Sequence, residues 1–147
     1  MTAVSRKRDE CICRLVRQAA RSLTNAYDRA LGPSGIKTTQ YTVLSVLNRE
    51  SSASIGELSE LLGLDQTTTT RNLMVLEEAG LVTRVPHQDP RVKLLKLTAK
   101  GKQKRLAAEK CWQEVQSKVK SKVSATDWQA FQKVLNAING ECKQLLG

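Results

Sequence analysis

Apolar side chains recur every three or four positions along much of the chain, which is the spacing of one face of an α-helix. The first such stripe extends from Ile12 to Ala30, and the pair Gly32-Pro33 that follows is typical of a helix end. A second helix is predicted to begin near Thr38. Its apolar side chains are expected to point into a core: Tyr41, Leu44 and Leu47.

Two short helices joined by a tight turn are predicted next. Ser54 and Glu57 have the spacing of a capping box, which begins a third helix. The apolar stripe of this helix comprises Leu58, Leu61 and Leu62. After the turn at Gly63-Leu64, Asp65 is a good N-cap for a fourth helix that extends to Gly80. The buried edge of the fourth helix is expected at Thr69, Leu73 and Leu76.

The pattern becomes extended after residue 80. Residues 81–85 and 92–97 are short aliphatic runs, and the segment 86–91 between them contains two prolines and an aspartate. We therefore predict a two-stranded hairpin with an exposed tip. The serine-rich segment 51–54, before the third helix, is expected to be a polar turn.

Two further helices complete the predicted order. Thr98 can cap a long fifth helix, and Ser124 marks the beginning of a sixth. The sixth helix repeats apolar residues in steps of three and four, a seam typical of a helix that packs against other helices. The residues of this seam are Trp128, Phe131, Leu135, Ile138, Cys142 and Leu145.

The predicted fold class is mainly α with a small β-hairpin wing. A hairpin directly after a helix-turn-helix is the winged form of that DNA-binding motif, in which the second short helix enters the major groove. The terminal helices carry more apolar surface than one small core needs, which indicates a two-fold dimer. We therefore divide the chain into an N-terminal dimerisation helix at 1–36, a winged helix-turn-helix DNA-binding domain at 37–100 and C-terminal dimerisation helices at 101–147.

Charge indicates a polyanionic partner. The 147 residues include 24 Lys and Arg against 14 Asp and Glu, a formal net charge of +10. Eight basic residues and one acid lie between Arg84 and Arg105, whereas six acids and one arginine lie between Glu50 and Ala79. Aromatic content of 3% disfavours a single-strand or RNA stacking platform. We therefore expect double-stranded DNA, attracted through its phosphates by the hairpin and the beginning of the fifth helix.

Other classes of protein fit the sequence less well. No apolar run approaches the roughly 20 residues of a membrane span or follows the N-terminus as a signal would, so we expect a cytoplasmic protein without membrane contact. The single histidine, with no nucleotide-binding glycine loop or metal-spaced cysteine set, argues against an enzyme, a cofactor or a metal site. A helical protein-interaction module without DNA binding is the alternative from another class, and it leaves the basic hairpin unexplained.

Four motifs occur in order between the third helix and the fifth. They are Ile-Gly-Glu-Leu-Ser-Glu-Leu-Leu-Gly-Leu at 55–64, Thr-Arg-Asn-Leu at 70–73, the segment 76–84, and Asp89-Pro90-Arg91 followed by 95–101. In this order they resemble the MarR family of winged helix-turn-helix transcriptional regulators over nearly the whole chain. The resemblance implies an obligate dimer that binds a pseudo-palindromic operator, usually as a repressor, and releases it when a small ligand or an oxidant acts.

Candidate DNA contacts lie on the fourth helix and the hairpin. Thr67, Thr68 and Arg71 share one face of the helix, which we assign to the major groove, where arginine suits guanine. Arg91 at the hairpin tip is the candidate for minor-groove insertion, and Asp89 is expected to orient it or shape the turn. A plain solvated helix surface is the alternative for the threonine run. The complete candidate set is Gln66, Thr67, Thr68, Thr70, Arg71, Arg84, Arg91 and Lys93.

The first helix carries a candidate redox sensor, Cys11 and Cys13. Cys13 stands fourteen residues before Tyr27, a spacing that resembles the organic-hydroperoxide-sensing branch of the family. A second tyrosine of that branch falls at Thr38 here, so the resemblance is partial. It implies release of DNA when a first-helix cysteine is oxidised, with Tyr27 as a possible thiol partner. Thr38 can still donate a hydrogen bond in place of the missing tyrosine, and Cys142 is a further possible partner if the terminal helices intertwine. Around a helix the two cysteines point about 200° apart, so a bridge between them requires local unwinding.

Two other interpretations of this region stay open. Passive packing is the equal alternative for Cys13 and the preferred one for Cys111 and Cys142. The rival trigger is a small aromatic or phenolic ligand in a cleft between the dimerisation helices and the winged domain, as the resemblance implies. Its candidate lining residues are Tyr27, Tyr41 and Trp112.

Overall fold

A computed structural model describes residues 11–147 and confirms the predicted fold class: mainly helical, with a small antiparallel sheet. The helices in this range are α1 (Ile12–Leu31), α2 (Thr38–Glu50), α3 (Ile55–Leu62), α4 (Gln66–Glu78), α5 (Ala99–Lys120) and α6 (Ala125–Leu146). The strands are β1 (Ala53–Ser54), β2 (Val82–Val85) and β3 (Leu94–Leu97). A 3₁₀ turn at Gly32–Ser34 ends α1, as the glycine and proline there predict.

The described chain forms two compact units, divided between Trp112 and Gln113. The first contains α1 to α4, the sheet and most of α5, and the second contains the end of α5 and α6. Residues 1–10 of the predicted N-terminal segment lie outside the described range. The division of the chain by function, at 1–36, 37–100 and 101–147, stays a prediction.

Side-chain caps set the helix boundaries as the sequence predicts. Ser54 Oγ accepts a hydrogen bond from the Glu57 amide at 3.2 Å, while Glu57 Oε2 accepts one from the Ser54 amide at 2.7 Å. Asp65 Oδ1 accepts from the amide of Thr68 at 2.8 Å, at the beginning of α4. Each bond satisfies an amide that the helix itself leaves unpaired, so these short helices begin at defined residues.

The sheet has three strands, in the order β1-β3-β2, rather than the predicted two. The segment expected to be a polar turn contains β1, in which Ala53 pairs with Leu95 and Ser54 with Leu94. Two residues are too few to show an alternating pattern, and burial of Ala53 rather than its own sequence holds this strand in place. The wing is therefore bonded to the residue that caps α3.

The core of the first unit is built around α2. Its predicted inward residues are buried, and so are the three expected on α4: Tyr41, Leu44, Leu47, Thr69, Leu73 and Leu76. Leu58 of α3 is buried too, but Leu61 is 49% exposed, so that part of the predicted stripe is wrong. With two turns, α3 presents only one edge to the core, and Leu61 lies at the margin of a cleft beside it.

Two helices present apolar side chains to solvent in the single chain. No residue of α6 is buried, and Phe131 and Val134 are 45% and 54% exposed. On α1 only Leu31 is buried, and Ile12 is 60% exposed. The expected packing of Cys142 is not found within one chain because this residue is exposed, whereas Cys111 is half-buried and packs against the core.

Candidate nucleic-acid interface

Helix α4 offers one edge to the core and the other to solvent. Thr69, Leu73 and Leu76 are buried and fix the rotation of the helix about its axis. Gln66 and Arg71 are exposed on the other side. Thr67, Thr68 and Asn72 complete the outer surface, with Asn72 half-buried. The arrangement presents a polar, arginine-bearing face that a major groove can accept.

Three threonine hydroxyls of α4 already donate hydrogen bonds at the beginning of the helix. That of the buried Thr69 donates to the Asp65 carbonyl at 2.9 Å. Thr68 Oγ1 donates to Asp65 Oδ2 at 2.7 Å, and Thr70 Oγ1 donates to the Gln66 carbonyl at 2.7 Å. The bonds from the Thr68 hydroxyl and the Thr68 amide hold the pKa of Asp65 below its usual range. Thr68 and Thr70 can therefore meet DNA as acceptors or through their methyl groups, while Thr67 and Arg71 supply the candidate donors.

The wing tip holds Arg91 in a fixed geometry. Asp89 accepts three hydrogen bonds from this one residue, from the backbone amide at 2.9 Å, from Nε at 3.1 Å and from Nη2 at 3.0 Å. This pairing, expected from the sequence, lowers the pKa of Asp89. The Arg91 side chain is nonetheless 89% exposed. The wing thus projects a guanidinium whose orientation is set before any partner arrives.

Arg84 is held by an acid that the sequence analysis did not connect with it. Its Nε and Nη2 donate to the two carboxylate oxygens of Glu77 at 2.9 and 3.0 Å, which raises the pKa of Arg84. The pair joins the end of α4 to β2. It bridges a helix end and a strand, so helical spacing gives no signal for it. The predicted DNA contacts of Arg84 and of the exposed Lys93 stay predictions.

Both first-helix cysteines border the same groove, of about 440 Å³, together with Arg14, Arg17 and Arg21. Cys11 is the N-cap of α1 and has extended backbone angles, so the helical separation of 200° does not apply to it. Arg17 Nη2 donates to Cys13 Sγ at 3.2 Å, and this bond raises the pKa of Arg17. The bond places a guanidinium in direct contact with the Cys13 sulfur.

Two of the possible thiol partners, Tyr27 and Thr38, are not brought to Cys13 within one chain. Tyr27 lies fourteen residues further along the uninterrupted helix α1, about 21 Å away at 1.5 Å per residue. The Thr38 amide donates to Asp28 at 2.7 Å, which places Thr38 near that same distant end. Cys142 belongs to the second unit. Contacts of Tyr27 or Thr38 with Cys13 therefore require a second copy of the chain.

Three aromatic rings form a stack in the first unit. Trp112 lies 6.1 Å from Tyr27 and 5.5 Å from Tyr41 between ring centroids, and burial raises the pKa of Tyr27. Beside the stack is a cleft of about 500 Å³. Its lining residues are Tyr41, Thr42, Ser45, Val46, Arg49, Leu61, Arg105, Glu109 and Trp112. Tyr27, which the sequence also suggested for this lining, is not among them.

Two polar atoms at this cleft are buried and unpaired. Within residues 11–147, Ser45 Oγ and Arg105 Nε have no hydrogen-bond partner, although Arg105 Nη2 pairs with Glu109 at 3.2 Å. Buried polar atoms without partners are uncommon in folded proteins. The cleft is therefore the place where a ligand with oxygen atoms would gain most.

A membrane-spanning helix and a metal site are both absent from residues 11–147. Among residues 11–147, no helix combines the length and the apolar character needed to span a bilayer. That range also contains no group of three or more His, Cys, Asp or Glu side chains arranged to hold a metal ion.

Comparison with known proteins identifies the family. A model of the MarR family matches residues 34–91, from the end of α1 to the wing tip. The structure of the transcriptional regulator MosR of M. tuberculosis in complex with DNA superposes with a TM-score of 0.81 at 37% identity, covering 92% of this chain and 98% of that one. The chain belongs to the MarR family. The family model matches the central part of the chain, and the likeness to MosR extends over 92% of it.

Two relatives come from Bacillus subtilis (strain 168). An uncharacterized HTH-type transcriptional regulator, YwoH, is 32% identical over 89 residues, which are 60% of this chain. The organic hydroperoxide resistance transcriptional regulator is 31% identical over 96 residues, or 65% of this chain. Each match spans 65% of the length of the Bacillus protein, slightly less than two thirds. Both Bacillus proteins are transcriptional regulators by name, which is the class that the sequence predicts for this chain.

Proposed function

We propose that the protein is a dimeric, sequence-specific DNA-binding transcriptional regulator that represses from a pseudo-palindromic operator. The carrying observation is Arg91, whose guanidinium is locked by Asp89 and yet 89% exposed at the wing tip. A pre-oriented cation of this kind loses little side-chain entropy on entering a minor groove. On α4, Arg71 and Thr67 supply the base-reading face. The DNA complex of MosR, 37% identical, supports the choice of partner.

The apolar surfaces of α1 and α6 support a homodimer. Residues such as Leu15, Val134 and Leu145 are 46%, 54% and 77% exposed in the single chain. Contiguous exposed apolar side chains of this extent are typical of an interface. A second copy is the proposed occupant because two-fold pairing also places two recognition helices on two half-sites of one operator.

We further propose that oxidation of Cys13 releases the DNA. The Cys13 sulfur attacks the outer oxygen of an organic hydroperoxide and the O–O bond breaks. The alkoxide that leaves takes up the proton that the thiol loses, so the products are a sulfenic acid and an alcohol. The Cys11 thiol then attacks that sulfur, forming a disulfide and releasing water, so two thiols lose two electrons and one peroxide gains them. The shared groove and the Arg17 hydrogen bond support this assignment.

A bridge between these cysteines would disturb the beginning of α1. A disulfide requires Cα atoms about 4.4 to 6.8 Å apart with converging Cβ atoms. Cys11 is extended but Cys13 is helical, and the first helical bond runs from the Leu15 amide to the Cys11 carbonyl at 3.1 Å. Forming the bridge therefore unwinds the first turn and displaces Ile12 and Leu15 from the proposed dimer surface.

A ligand-triggered regulator is the second candidate. The cleft is lined by the Trp112 ring and by Ser45 and Arg105. Their Oγ and Nε atoms are the two buried polar atoms without partners in residues 11–147. A small phenol or aromatic acid would stack on the ring and offer oxygen atoms to both groups. Such a ligand would wedge between α2 and α5, with no role for the cysteines.

One titration tests the proposal. The DNA upstream of the protein's own gene is titrated with reduced protein, then after one equivalent of cumene hydroperoxide, then after dithiothreitol, against a scrambled duplex of equal length. We expect selective, salt-dependent binding that oxidation abolishes and thiol restores. Cys13→Ser should bind normally and ignore the peroxide, whereas the matched control Cys142→Ser should respond as the wild type does.

Two other outcomes would contradict part of the proposal, one the peroxide trigger and the other DNA binding itself. Binding that ignores peroxide but weakens with phenol or benzoate transfers the trigger to the cleft, and Arg105→Gln should then abolish that response. Salt-insensitive behaviour with no preference for any duplex contradicts DNA binding and returns the protein to the class of helical interaction modules.

A further inference from the structure

The end of α4, the proposed recognition helix, is hydrogen-bonded to the beginning of α5. Lys100 Nζ donates to the Ala79 carbonyl at 2.7 Å. Thr98 Oγ1 donates to the Gly80 carbonyl at 2.7 Å, and the Thr98 amide donates to the Leu81 carbonyl at 3.2 Å. The carbonyls of three consecutive residues just past α4 are thus all bonded to two residues that lie seventeen to twenty-one positions later. We call these five residues the α4–α5 joint.

Two glycines allow the joint to close. Gly80 has a φ of +70°, a left-handed angle that lets the chain leave α4 and turn its carbonyl towards Thr98. Gly101 lies in the first turn of α5, where any Cβ atom would overlap the Leu81 carbonyl oxygen. The Gly101 amide donates to Thr98 Oγ1 at 3.0 Å. One hydroxyl therefore caps α5 and holds the chain that leaves α4.

Charge strengthens the same contact. The C-terminal end of a helix carries partial negative charge, and the Lys100 ammonium lies on the carbonyl just past the end of α4. On the adjoining strand β2, Arg84 donates from Nε and Nη2 to Glu77, one residue before the last of α4. The C-terminal turn of α4 is held from two directions, by α5 and by the wing.

We infer that Lys100 and Thr98 are positioning residues that set the angle at which α4 meets the major groove. This inference rests on the proposed DNA-binding function. The thirteen residues of α4 span about 20 Å, so a tilt of 5° at the joint would move the N-terminal end by about 1.7 Å. Such a shift exceeds the tolerance of a hydrogen bond to a base edge. Gln66 and Thr67 lie at that end.

The joint also has a direction of coupling. Helix α5 continues without interruption from the joint to Lys120, past the division at Trp112. A rotation of α5 therefore acts directly on the carbonyls that end α4. Loss of the joint should lower selectivity among DNA sequences before it lowers general attraction to DNA, because the basic residues that attract phosphate stay in place.

The decisive comparison is Lys100→Met against Lys102→Met. Both remove one positive charge from the same turn, but residue 102 lies about 200° around the helix from residue 100. We expect Lys100→Met to reduce the ratio of operator to scrambled-duplex affinity about tenfold, comparable to one mismatched base pair. Lys102→Met should change both affinities alike. A Lys100 that only contacts phosphate would instead give two indistinguishable variants, which overturns the inference.

A second pair tests the hydroxyl. Thr98→Val keeps the shape and removes the side-chain hydrogen bonds to the Gly80 and Leu81 carbonyls and from the Gly101 amide, whereas Thr98→Ser keeps them. We expect the valine variant to lose selectivity and the serine variant to retain it. Equal selectivity in the two variants would remove Thr98 from the positioning role.

Amide hydrogen exchange separates this inference from the proposed function. Lys100→Met should speed exchange of the α4 amides severalfold relative to Lys102→Met, and this readout requires no DNA. If the wild type shows no preference for any duplex, the proposed function fails while exchange still decides the joint. If exchange is unchanged, the joint fails even where DNA binding holds.

Discussion

Arg91 shows how one short-range ion pair prepares a residue for a partner. Surface salt bridges contribute little to stability in general, because solvent screens them. Here the backbone amide of Arg91 also bonds to Asp89, so the pair fixes the loop as well as the side chain. Its value lies in the orientation of an exposed cation, and we place its effect on DNA affinity rather than on folding.

Replacement of that cation tests its role. Arg91→Ala should weaken operator binding about tenfold and reduce the slope of log affinity against log salt by about one, because one phosphate-bound or groove-bound cation is lost. Arg91→Lys should restore most of the slope but less of the affinity, since the fork that Asp89 holds is absent. Filter binding at four salt concentrations measures both quantities. An unchanged slope in the alanine variant would exclude Arg91 from the interface.

The sequence predicts contacts between near neighbours better than contacts through space. The pairing of Asp89 with Arg91 follows from a separation of two residues in a loop with two prolines. The bonds of Lys100 to Ala79 and of Arg84 to Glu77 depend on how a helix end meets other elements, which no local spacing encodes. The orphaned Ser45 and Arg105 atoms likewise appear only once α2 and α5 are packed.

At the scale of elements, the helices follow from caps and periodicity and the sheet does not. The capping box at Ser54 and the N-cap at Asp65 depend on three-residue spacings, which the sequence displays directly. Strand β1 exists because β3 offers a free edge beside buried Ala53, a tertiary cause. Leu61 misled the prediction since an apolar residue on a two-turn helix can face core or cleft equally well.

The cap of α4 predicts a specific acid response. Its hydrogen bonds hold the pKa of Asp65 below the ordinary value of 3.8, so its contribution to stability is present above that value and is lost as the pH falls through the lowered one. Asp65→Asn keeps a capping side chain without a charge. Thermal midpoints between pH 2.5 and 7 should therefore decline less steeply below pH 4 in Asp65→Asn than in the wild type.

The matched control is Glu114→Gln, which removes an exposed carboxylate from the middle of α5. It should leave the acid limb of the stability curve unchanged. Parallel acid limbs in Asp65→Asn and the wild type would mean that the carboxylate does not stabilise the beginning of α4.

At the scale of the whole molecule, one chain leaves its apolar surface incomplete. No residue of the seam predicted along α6 is buried, and its members Phe131, Cys142 and Leu145 are exposed. The outward apolar residues of α1, such as Ile12 and Leu15, are exposed as well. Periodicity identified these faces correctly as apolar, but a single sequence does not contain the geometry of the second copy. The arrangement of two copies in the proposed dimer is therefore the part that the sequence predicts least.

A charged residue on the α6 seam tests the dimer. Phe131→Asp places a carboxylate where the proposed interface is apolar, and we expect dimer dissociation to strengthen on the order of a hundredfold. Gln132→Asp adds the same charge at the adjacent exposed position and should leave the dimer intact. Sedimentation velocity over a concentration series measures both. A Phe131→Asp protein that sediments as the wild type does would place the interface elsewhere.

The closed base of the wing has a consequence for how its reach can change. Thr98 is bonded back to Gly80 and Leu81, so the strands and the turn between them form a loop whose ends are already joined. Lengthening a closed loop costs free energy only with the logarithm of its length, about 0.6 kcal/mol per doubling. Insertions or deletions in the tip at 86–93 should therefore cost little folding free energy, and α4 should keep its position.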